Sequence, residues 1–385
     1  MTDTLGLYLH IPFCRSRCRY CGFYSNAALP PDAYVEAMLR EMEGYRRSFS
    51  MEVDTVYLGG GTPSALSAAQ LARLMESVRR AFAVRDDAEI TMEMNPCDMT
   101  EGYLSCARAL GINRLSVGVQ SKDDRLLRAI GRRHTAAEAE QAVKRAFRAG
   151  FRNISIDLMY ELPCQSPADF ERSLLWAMHL PVTHLSVYSL ILEEGTRFAQ
   201  LADEGKLPRP SESGSWAMYQ AMCRIPPHYG FRRYEISSFA RPGFESRHNR
   251  KYWRLDPYLG LGPSVCSRIG RERWQVLPGT RRYMKELLAG RGAPMEKDRL
   301  SEAEEMEEYC FLHLRMREGI GRADFEARYG APIERWYGRE LALLKKEKLL
   351  AEQDGRLFLT YRGAALGNTV FEAFLRSGEE PDDEN

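Results

Sequence analysis

The sequence predicts an α/β protein, a partial (β/α)6 barrel followed by a C-terminal winged-helix-like α+β domain. Short β-rich runs alternate with amphipathic helical runs up to about residue 190. About six such units are present, too few for a closed eight-unit barrel. From Glu302 the pattern changes to three helices, two short strands around Asp354 and a final helix, which indicates the second domain. Ligands are therefore expected at the carboxyl ends of the barrel strands.

The spacing of apolar residues predicts the individual elements. The first helix begins at about Pro31, because Tyr34, Met38, Met42 and Tyr45 then share one face. Two prolines and an aspartate at this point are a plausible start signal for a helix. The strands expected are 5–11, 55–59, 89–93, 114–120, 154–159 and 184–189, and the later helices are 68–82, 103–110, 136–149, 168–178, 304–317, 323–329 and 333–346.

Three domains are expected. The partial barrel covers 1–195, an accessory or cap region rich in Gly, Pro and Arg covers 196–300, and the winged-helix-like domain covers 301–385. Winged helices often bind DNA, but a mixed-charge third helix and an acidic tail argue against DNA here. A lid or docking module is the favoured role. The acidic tail consists of Glu379, Glu380, Asp382, Asp383 and Glu384.

The composition argues against several classes of protein. With 385 residues, 44% of them hydrophobic, and a formal net charge of +1, the chain gives no electrostatic case for nucleic acid. No apolar run approaches the roughly 20 residues that span a bilayer, and the start of the chain lacks the features of a secretory signal. Nine cysteines, as a tight triplet and six scattered residues, disfavour a disulfide framework and fit a reducing cytoplasm.

The cysteine triplet is Cys14, Cys18 and Cys21, in one short loop after the first strand. Thiolates at the spacing C-x3-C-x2-C can hold three irons of a cubane cluster and leave the fourth iron without a protein ligand. Such an open iron can bind and cleave a small molecule. A Cys3His zinc site with His10 as the fourth ligand is the alternative.

Polar residues recur at the ends of the next strands. The second strand runs into Gly59–Pro63, three glycines with Thr and Pro, whose bare backbone admits close approach of a ligand or forms only a tight turn. Glu93 and Gln120 end the third and fourth strands, and Asp157 lies inside the apolar fifth strand, where a carboxylate is costly unless it is bonded or faces a ligand. Arg132 can pair with a carboxylate. Each alone can equally be structural, and their convergence favours a binding site.

With this cysteine spacing, the chain resembles the radical S-adenosylmethionine (SAM) enzymes and, within them, the oxygen-independent coproporphyrinogen III oxidase family. The resemblance implies that Cys14, Cys18 and Cys21 hold a [4Fe-4S] cluster whose open iron binds SAM. The segments that carry the resemblance, besides the cysteines, are Tyr8–Cys14, Gly59–Pro63, Ser116–Gln120, Ile156–Tyr160 and Leu359–Gly363.

The resemblance also implies residues for cofactor binding. Glu161 departs from the family, which usually has Gly there, and this puts the local turn geometry in doubt. Cys266 lies in a family loop, where it is expected to touch SAM or haem or to fill space. No residue is predicted as catalytic. By motif position, the SAM contacts are Tyr8, Gly60, Gly61, Thr62, Glu93, Gln120, Arg132 and Asp157, and the contacts of a second SAM are Tyr20 and Ile191.

Three features resemble the haem chaperone branch of this family (HemW-like) rather than its oxidases. The oxidases carry a fourth cysteine two residues after the third and an N-terminal extension, whereas this chain has Phe23 there and only thirteen residues before the triplet. The third feature is an H-N-x-x-Y-W motif, in which His248 offers an imidazole to haem iron while Tyr252 and Trp253 offer flat apolar faces. The alternative is a structural histidine near a buried tryptophan. The basic residues that can meet haem propionates are Arg247, Arg250, Lys251 and Arg254.

The leading interpretation is a cytoplasmic radical SAM haem chaperone that binds haem and transfers it to haemoproteins, with the cluster and SAM controlling binding, transfer or oligomerisation. One alternative is the oxidase, which decarboxylates two propionates of coproporphyrinogen III through a SAM-derived radical; Phe23 and the haem motif disfavour it. Another is a related two-SAM radical enzyme with a different substrate. The resemblance implies recipient haemoproteins and an electron donor as partners, and it allows a homodimer and peripheral contact with a membrane partner.

Overall fold

A computed structural model of the protein describes residues 4–46 and 48–375. The acidic tail expected from the sequence lies outside the described residues. The strands are β1 Thr4–Ile11, β2 Phe13–Cys14, β3 Asn26–Ala27, β4 Glu52–Gly60, β5 Val84–Met94, β6 Arg114–Gln120, β7 Asn153–Tyr160, β8 His184–Ser189, β9 Arg232–Arg233, β10 Ser238–Ala240, β11 Tyr258–Leu261, β12 Cys266–Ile269, β13 Glu272–Val276, β14 Met295–Arg299, β15 Ile320–Gly321, β16 Leu350–Gln353 and β17 Arg356–Leu359.

The helices connect these strands, and none within the described part of the chain is long and apolar enough to span a bilayer. They are α1 Asp32–Tyr45, α2 Ala68–Ala81, α3 Glu101–Ala109, α4 Asp124–Ala129, α5 Ala136–Arg148, α6 Pro167–Met178, α7 Arg197–Asp203, α8 Glu212–His228, α9 Arg247–Arg254, α10 Thr280–Leu288, α11 Glu302–Arg315, α12 Arg322–Tyr329, α13 Glu334–Lys346, α14 Tyr361–Ala365 and α15 Gly367–Glu372.

Six parallel neighbours, β1 and β4 to β8 in that order, form the centre of a twelve-stranded sheet. Helices pack against one face of these strands and bury a continuous apolar core. The register aligns Tyr8 with Tyr57, and Gly118 with Asp157, so polar residues of neighbouring strands meet on the other face. The predicted α/β class and partial (β/α)6 barrel are confirmed.

Residues between 196 and 300 extend this sheet at both edges. Strand β11 pairs parallel to β1 and continues into antiparallel β12, β13 and β14, while β10 and β9 pair antiparallel beyond β8. The expected accessory region therefore adds strands as well as helices to the barrel sheet. The domain limits at 195/196 and 300/301 stay predictions.

Local signals explain where the helices begin. Ser67, Thr135, Ser166 and Ser301 each accept a backbone N–H three residues later, while the residue at that position returns a bond to the cap backbone. The box at Ser301 starts α11 two residues before the position expected from the apolar pattern. These caps fix the helix starts and hence the lengths of the loops at the carboxyl ends of the strands.

The C-terminal region has its own core around α11 to α15 and a three-stranded antiparallel sheet, β15-β17-β16. The sequence predicted two of these strands, and the third, β15, is only two residues long. Arg268 on β12 is 3% exposed and bonds Glu305 and Glu308 of α11. This buried ion pair joins the C-terminal region to the large sheet.

Candidate cofactor site

One cavity of about 520 Å³ lies at the carboxyl ends of the barrel strands. Its lining contains most of the residues that the sequence singled out, although they come from several different strand ends and loops. The predicted residues that do not line it are Tyr8, His248, Tyr252, Trp253 and Cys266. Those that do are Cys14, Cys18, Tyr20, Cys21, Gly60, Gly61, Thr62, Glu93, Gln120, Arg132, Asp157 and Ile191.

The three cysteines of the triplet are free thiols, partly buried at this cavity. Burial raises the pKa of Cys14 and Cys21. Thr62 Oγ1 donates to Cys14 Sγ at 3.3 Å, and Arg132 Nη1 donates to Cys18 Sγ at 3.6 Å. Donors aimed at sulfur stabilise thiolates, which are the form that ligates iron.

The arrangement fits a cluster better than a single metal ion. Within the described ranges, no three His, Cys, Asp or Glu side chains are grouped closely enough to hold one ion. In a cubane each thiolate binds a different iron, so the three sulfurs need not converge on one point. Both ring nitrogens of His10 are engaged, Nδ1 with Tyr8 Oη and Nε2 with the Tyr24 carbonyl, each at 3.2 Å. His10 is therefore not free to complete a zinc site.

The glycine loop needs its glycines for two reasons. Gly60 has a φ of 112°, which L side chains rarely adopt, and a Cβ there would lie 2.5 Å from His10 Nδ1. A Cβ on Gly61 would lie 2.7 Å from the Phe13 backbone nitrogen. The loop thus packs its bare backbone against β1 and β2, while Gly60 and Gly61 also line the cavity.

Two half-buried carboxyl groups, those of Glu93 and Asp157, face the cavity. Glu93 accepts from Tyr57 Oη at 2.9 Å and from the Gly60 backbone N–H at 3.1 Å. Burial raises the pKa of Glu93 to about 7 and the pKa of Asp157 to about 6. Asp157 accepts from Ser116 Oγ at 3.5 Å. Both groups change charge near neutral pH, a property common at functional sites.

Arg132 and Gln120 complete the expected set. Arg132 donates to the Gly118 carbonyl as well as to Cys18, and its Nε has no partner among the described residues. Gln120 is 8% exposed and has a φ of 73°, a conformation that costs of order 1 kcal/mol for a residue with a side chain. Strain at a strand end beside a cavity is typical of a site where the backbone is held for a ligand.

Sequence reasoning missed Arg114, the first residue of β6. It is 2% exposed, lines the cavity, and its Nε has no hydrogen-bond partner among the described residues. A buried cation is costly unless it is compensated, and Arg114 acts on the charges of Glu93 and Asp157, whose pKa values it lowers. The sequence feature that could have identified Arg114 is an arginine at the first position of an otherwise apolar strand. Asn249 and Tyr57 also line the cavity and were missed.

The haem motif forms α9, which packs on the amino-terminal halves of β1 and β4. His248 is fully buried, with Nδ1 bonded to Thr55 Oγ1 and Nε2 bonded to Tyr252 Oη, each at 2.8 Å. Burial lowers the pKa of His248 to about 3, so the imidazole is neutral. Coordination of haem iron by this imidazole requires one of the two bonds to be released.

The basic residues of α9 already have acidic partners. Lys251 Nζ lies 2.8 Å from Asp54 Oδ1, and both Arg250 and Arg254 bond Glu318. Trp253 packs under Arg315, whose guanidinium carbon lies 4.3 Å from the ring centroid. These side chains of α9 are thus already engaged in contacts within the protein.

Glu161 and Cys266, the two residues that depart from the family pattern, lie at a turn and at the start of a strand. Glu161 has a φ of 62°, the left-handed conformation that glycine adopts without strain, so the turn keeps a glycine-like backbone with a different side chain. Cys266 is an exposed free thiol at the start of β12, outside the cavity lining.

Comparison with known proteins gives two domain matches. Residues 8–177 match the Radical SAM superfamily, and residues 300–366 match the HemN C-terminal domain. Among solved structures, coproporphyrinogen III oxidase (HemN) from Escherichia coli is similar with a TM-score of 0.85 and 25% identity, covering 96% of this chain and 90% of that one.

Curated relatives match along nearly the whole chain. A protein of Lactococcus lactis named heme chaperone HemW is 37% identical, covering 96% of each chain. Proteins of the same name from Bacillus subtilis and Escherichia coli K12 are 36% and 33% identical, covering 96% of this chain and 98% of theirs.

Proposed function

Because the chain belongs to the HemW heme chaperone family within the Radical SAM superfamily, we propose that it binds haem and transfers it to recipient haemoproteins. The similarity to relatives of that name extends over 96% of the chain, so it includes both the cluster loop and α9. This extent is the observation that carries the proposal. A cavity that gathers the three thiols, the glycine loop and two carboxylates supports the cofactor part of it.

We further propose that Cys14, Cys18 and Cys21 hold a [4Fe-4S] cluster with one open iron, and that SAM binds beside it in the cavity. When bound, the cluster and SAM supply one-electron chemistry. Thr62 and Arg132 hold the thiolates through their bonds to sulfur. The other polar side chains of the cavity lining offer hydrogen bonds to SAM. When Glu93 and Asp157 are ionised, their negative charge favours this cationic ligand.

All the expected cofactor contacts stay predictions, and several of them differ in how they lie relative to the cavity. Tyr8, expected at SAM, lies behind the cavity and bonds His10, so in this arrangement it supports the site by holding that imidazole. Tyr20 and Ile191, expected at a second SAM, both line the cavity. Cys266 lies outside it, so a contact with either ligand requires a different arrangement of its loop.

The support for haem binding comes from the family relationship. The motif itself does not present an imidazole nitrogen that is free to bind iron. His248, Tyr252 and Trp253 remain candidate haem contacts, with His248 as the iron ligand. Since the imidazole is bonded at both nitrogens, this role needs α9 to loosen from Thr55 or Tyr252 to turn away.

The direct experiment is haemin titration of the reconstituted protein, followed by transfer to a haem-free acceptor haemoprotein. We expect haemin to bind stoichiometrically. The acceptor should gain haem only when the haem-loaded protein is present. His248→Ala is expected to weaken haem retention if the motif supplies the iron ligand. A protein that binds no haemin contradicts the proposed function.

The structural likeness to coproporphyrinogen III oxidase keeps the enzyme as a second candidate. Incubation with coproporphyrinogen, SAM and a reductant is expected to yield no protoporphyrinogen, because Phe23 replaces the fourth cysteine of the oxidases. Rapid turnover would transfer the assignment to the oxidase, and a different modified product would favour a two-SAM enzyme acting on another substrate. A cytoplasmic location, an electron donor, a homodimer and peripheral contact with a membrane partner are part of the proposal.

A further inference from the structure

Arginines alternate with cysteines in the cluster loop. Arg15 directly follows the first cysteine of the triplet, while Arg17 and Arg19 lie on either side of the second. All three arginines are exposed, whereas the cysteines are partly buried. The exposed surface of the loop is therefore adjacent in the chain to the proposed cluster ligands, with about 3.8 Å between neighbouring Cα atoms.

Backbone contacts bring two further arginines to this loop. The Arg19 backbone N–H donates to the Ile130 carbonyl at 3.1 Å, and the Arg19 carbonyl accepts from the Phe198 N–H at 3.0 Å. Arg128, in the last turn of α4, and Arg197, the first residue of α7, are exposed beside these two contacts. Three arginines from different loops thus meet at the carboxyl ends of the barrel strands.

Most of this positive charge is not neutralised within the protein. Arg17 and Arg19 donate to backbone carbonyls, and Arg197 donates to a neutral amide side chain. None of these three forms an ion pair with the residues that the structure describes, and the same holds for Arg128. Unpaired guanidinium groups stay available to carboxylates of another molecule.

Acidic residues offset only part of the charge. Asp98 lies 3.3 Å from Arg15 Nε and 3.9 Å from Arg133 Nη2, so one carboxylate is shared by two arginines. The exposed Glu193 approaches the loop after its last cysteine, because a Cβ on Gly22 would lie 2.6 Å from Glu193 Cγ. We call the resulting basic region the arginine surface. It consists of Arg15, Arg17, Arg19, Arg128, Arg133 and Arg197.

The charge and the position of the arginine surface together indicate its partner. The whole chain has a formal net charge of only +1, so this surface is a local concentration of positive charge that attracts an acidic molecule. A cluster with one-electron chemistry needs a reductant, and electron tunnelling falls steeply with distance. A donor must therefore contact the protein close to the cluster ligands. Alternation of arginines with these ligands favours such a donor over a nucleic acid, which has no need of them.

We propose that the arginine surface docks an acidic one-electron carrier protein, which reduces the cluster across the loop that binds it. This rests on the proposed function and gives its electron donor a docking site. In the step, the reduced flavin or iron–sulfur centre of the carrier loses one electron and the oxidised cluster gains it, while no bond forms or breaks. The contact is expected to be small and transient, as in other redox encounters.

The test is anaerobic reduction of the reconstituted protein by two acidic carriers, a reduced flavodoxin and a reduced ferredoxin, followed by bleaching of the cluster absorbance. The triple variant Arg19→Gln, Arg128→Gln, Arg197→Gln should be reduced about tenfold more slowly than wild type at low salt, because docking is steered by charge. Raising the ionic strength from about 20 mM to about 300 mM should slow wild type more than this variant.

A matched control removes the same charge elsewhere. Arg335→Gln, Arg339→Gln, Arg362→Gln replaces three exposed arginines of α13 and α14 that form no ion pair with the described residues and do not line the cavity. This variant should be reduced as fast as wild type. Photoreduced deazariboflavin, a small neutral reductant that needs no docking surface, should reduce all three proteins at one rate. Iron content is measured for each.

Each other outcome overturns the docking surface. If the carriers reduce the first triple variant as fast as wild type, or if deazariboflavin also reduces it more slowly, the arginines do not dock a carrier. A wild type that deazariboflavin reduces and neither carrier does has the same meaning. A single-stranded oligonucleotide that binds more tightly than either carrier would replace the carrier by a nucleic acid. In all these cases haemin binding and transfer would leave the chaperone function standing, whereas a wild type without a cluster would also overturn the proposed cofactor.

Discussion

At the residue scale, burial decides the charge of the carboxyl groups around the cavity. Glu93 and Asp157 have pKa values raised to about 7 and about 6, so each is protonated in part at pH values that cells experience. The bonds from Tyr57 and Gly60 oppose this shift at Glu93, because they stabilise the ionised form. Affinity for a cationic ligand should therefore depend on pH.

The first prediction concerns SAM binding. Wild type should bind SAM less tightly as the pH falls from 8 to 6.5, since protonation of Glu93 removes a negative charge that favours the cationic cofactor. Glu93→Gln should bind about tenfold more weakly at pH 8 and show little change over this range. Calorimetric titration of the reconstituted protein measures both, with Glu76→Gln on α2 as an exposed control. A Glu93→Gln profile that parallels wild type would contradict this role.

A second buried carboxyl group, Glu41 on α1, lies outside the cavity. It accepts from the Gly262 N–H at 2.8 Å and from Tyr283 Oη at 2.5 Å, while burial raises its pKa from 4.5 to about 7. The folded protein thus holds a proton between about pH 4.5 and 7 that the unfolded chain has released. Stability must fall as the pH rises through this window and stay lowered above it.

The second prediction is that Glu41→Gln removes this dependence. Glu41 alone contributes about 3 kcal/mol to the change in the free energy of unfolding between pH 4.5 and 8. Urea unfolding across this range should show a clearly shallower slope for Glu41→Gln. The control is Glu36→Gln on the same helix, where the side chain is 41% exposed. Equal slopes in wild type and Glu41→Gln would refute the assignment.

At the element scale, α9 shows that long-range contacts decide how deeply a motif is buried, which its sequence pattern does not reveal. Its backbone N–H groups at Arg247 and His248 donate to Glu89, and its histidine bonds Thr55, 193 residues earlier in the chain. The motif's burial depends on these long-range contacts, which no local spacing reveals. By contrast, Glu93 and Gln120 could be placed from sequence, because parallel βα units bring strand ends together.

Two other features of the site could not be placed from the sequence. Arg114 is the first residue of β6, yet its side chain lines the cavity. The expectation that ligands lie at the carboxyl ends of parallel strands does not predict a contact from the amino-terminal end. Phe23 was visible as a departure from the oxidase pattern, but its exposure, and the contact of the preceding Gly22 with Glu193, follow only from how two loops pack.

The third prediction tests whether α9 is held by the histidine. Tyr252→Phe removes the partner of His248 Nε2, which should lower the free energy of unfolding by about 1 kcal/mol. Tyr258→Phe is the matched control, since its ring packs edge-on to Tyr252 at 4.7 Å and its hydroxyl forms no hydrogen bond within the described ranges. Urea unfolding compares the two. Equal stability of both variants would mean that the histidine bond does not hold the helix.

At the scale of the whole molecule, one sheet carries the candidate cofactor site and also anchors the C-terminal region. Arg268 on β12 and Glu305 on α11 are 3% and 7% exposed, so their ion pair is taken out of water. Arg328 of α12 bonds the same Glu305. Breaking one partner of such a pair leaves a buried charge, which costs more than the pair contributes.

The fourth prediction follows from this junction. Arg268→Met should lower the free energy of unfolding by about 3 kcal/mol, because Glu305 and Glu308 lose their shared buried cation. Arg273→Met removes the other partner of Glu308, a guanidinium that is 39% exposed, and should cost less than about 1 kcal/mol. Thermal unfolding monitored by circular dichroism gives the comparison. Similar losses for both variants would show that burial at this junction is unimportant.

The proposed chemistry depends above all on an iron that the three thiols of one loop leave open to SAM in the barrel cavity. Electron paramagnetic resonance of the anaerobically reconstituted, reduced protein tests this assignment most directly. We expect four irons per chain and a cluster signal that changes when SAM is added. Bound zinc in place of the cluster, or a cluster signal that SAM leaves unchanged, would contradict it.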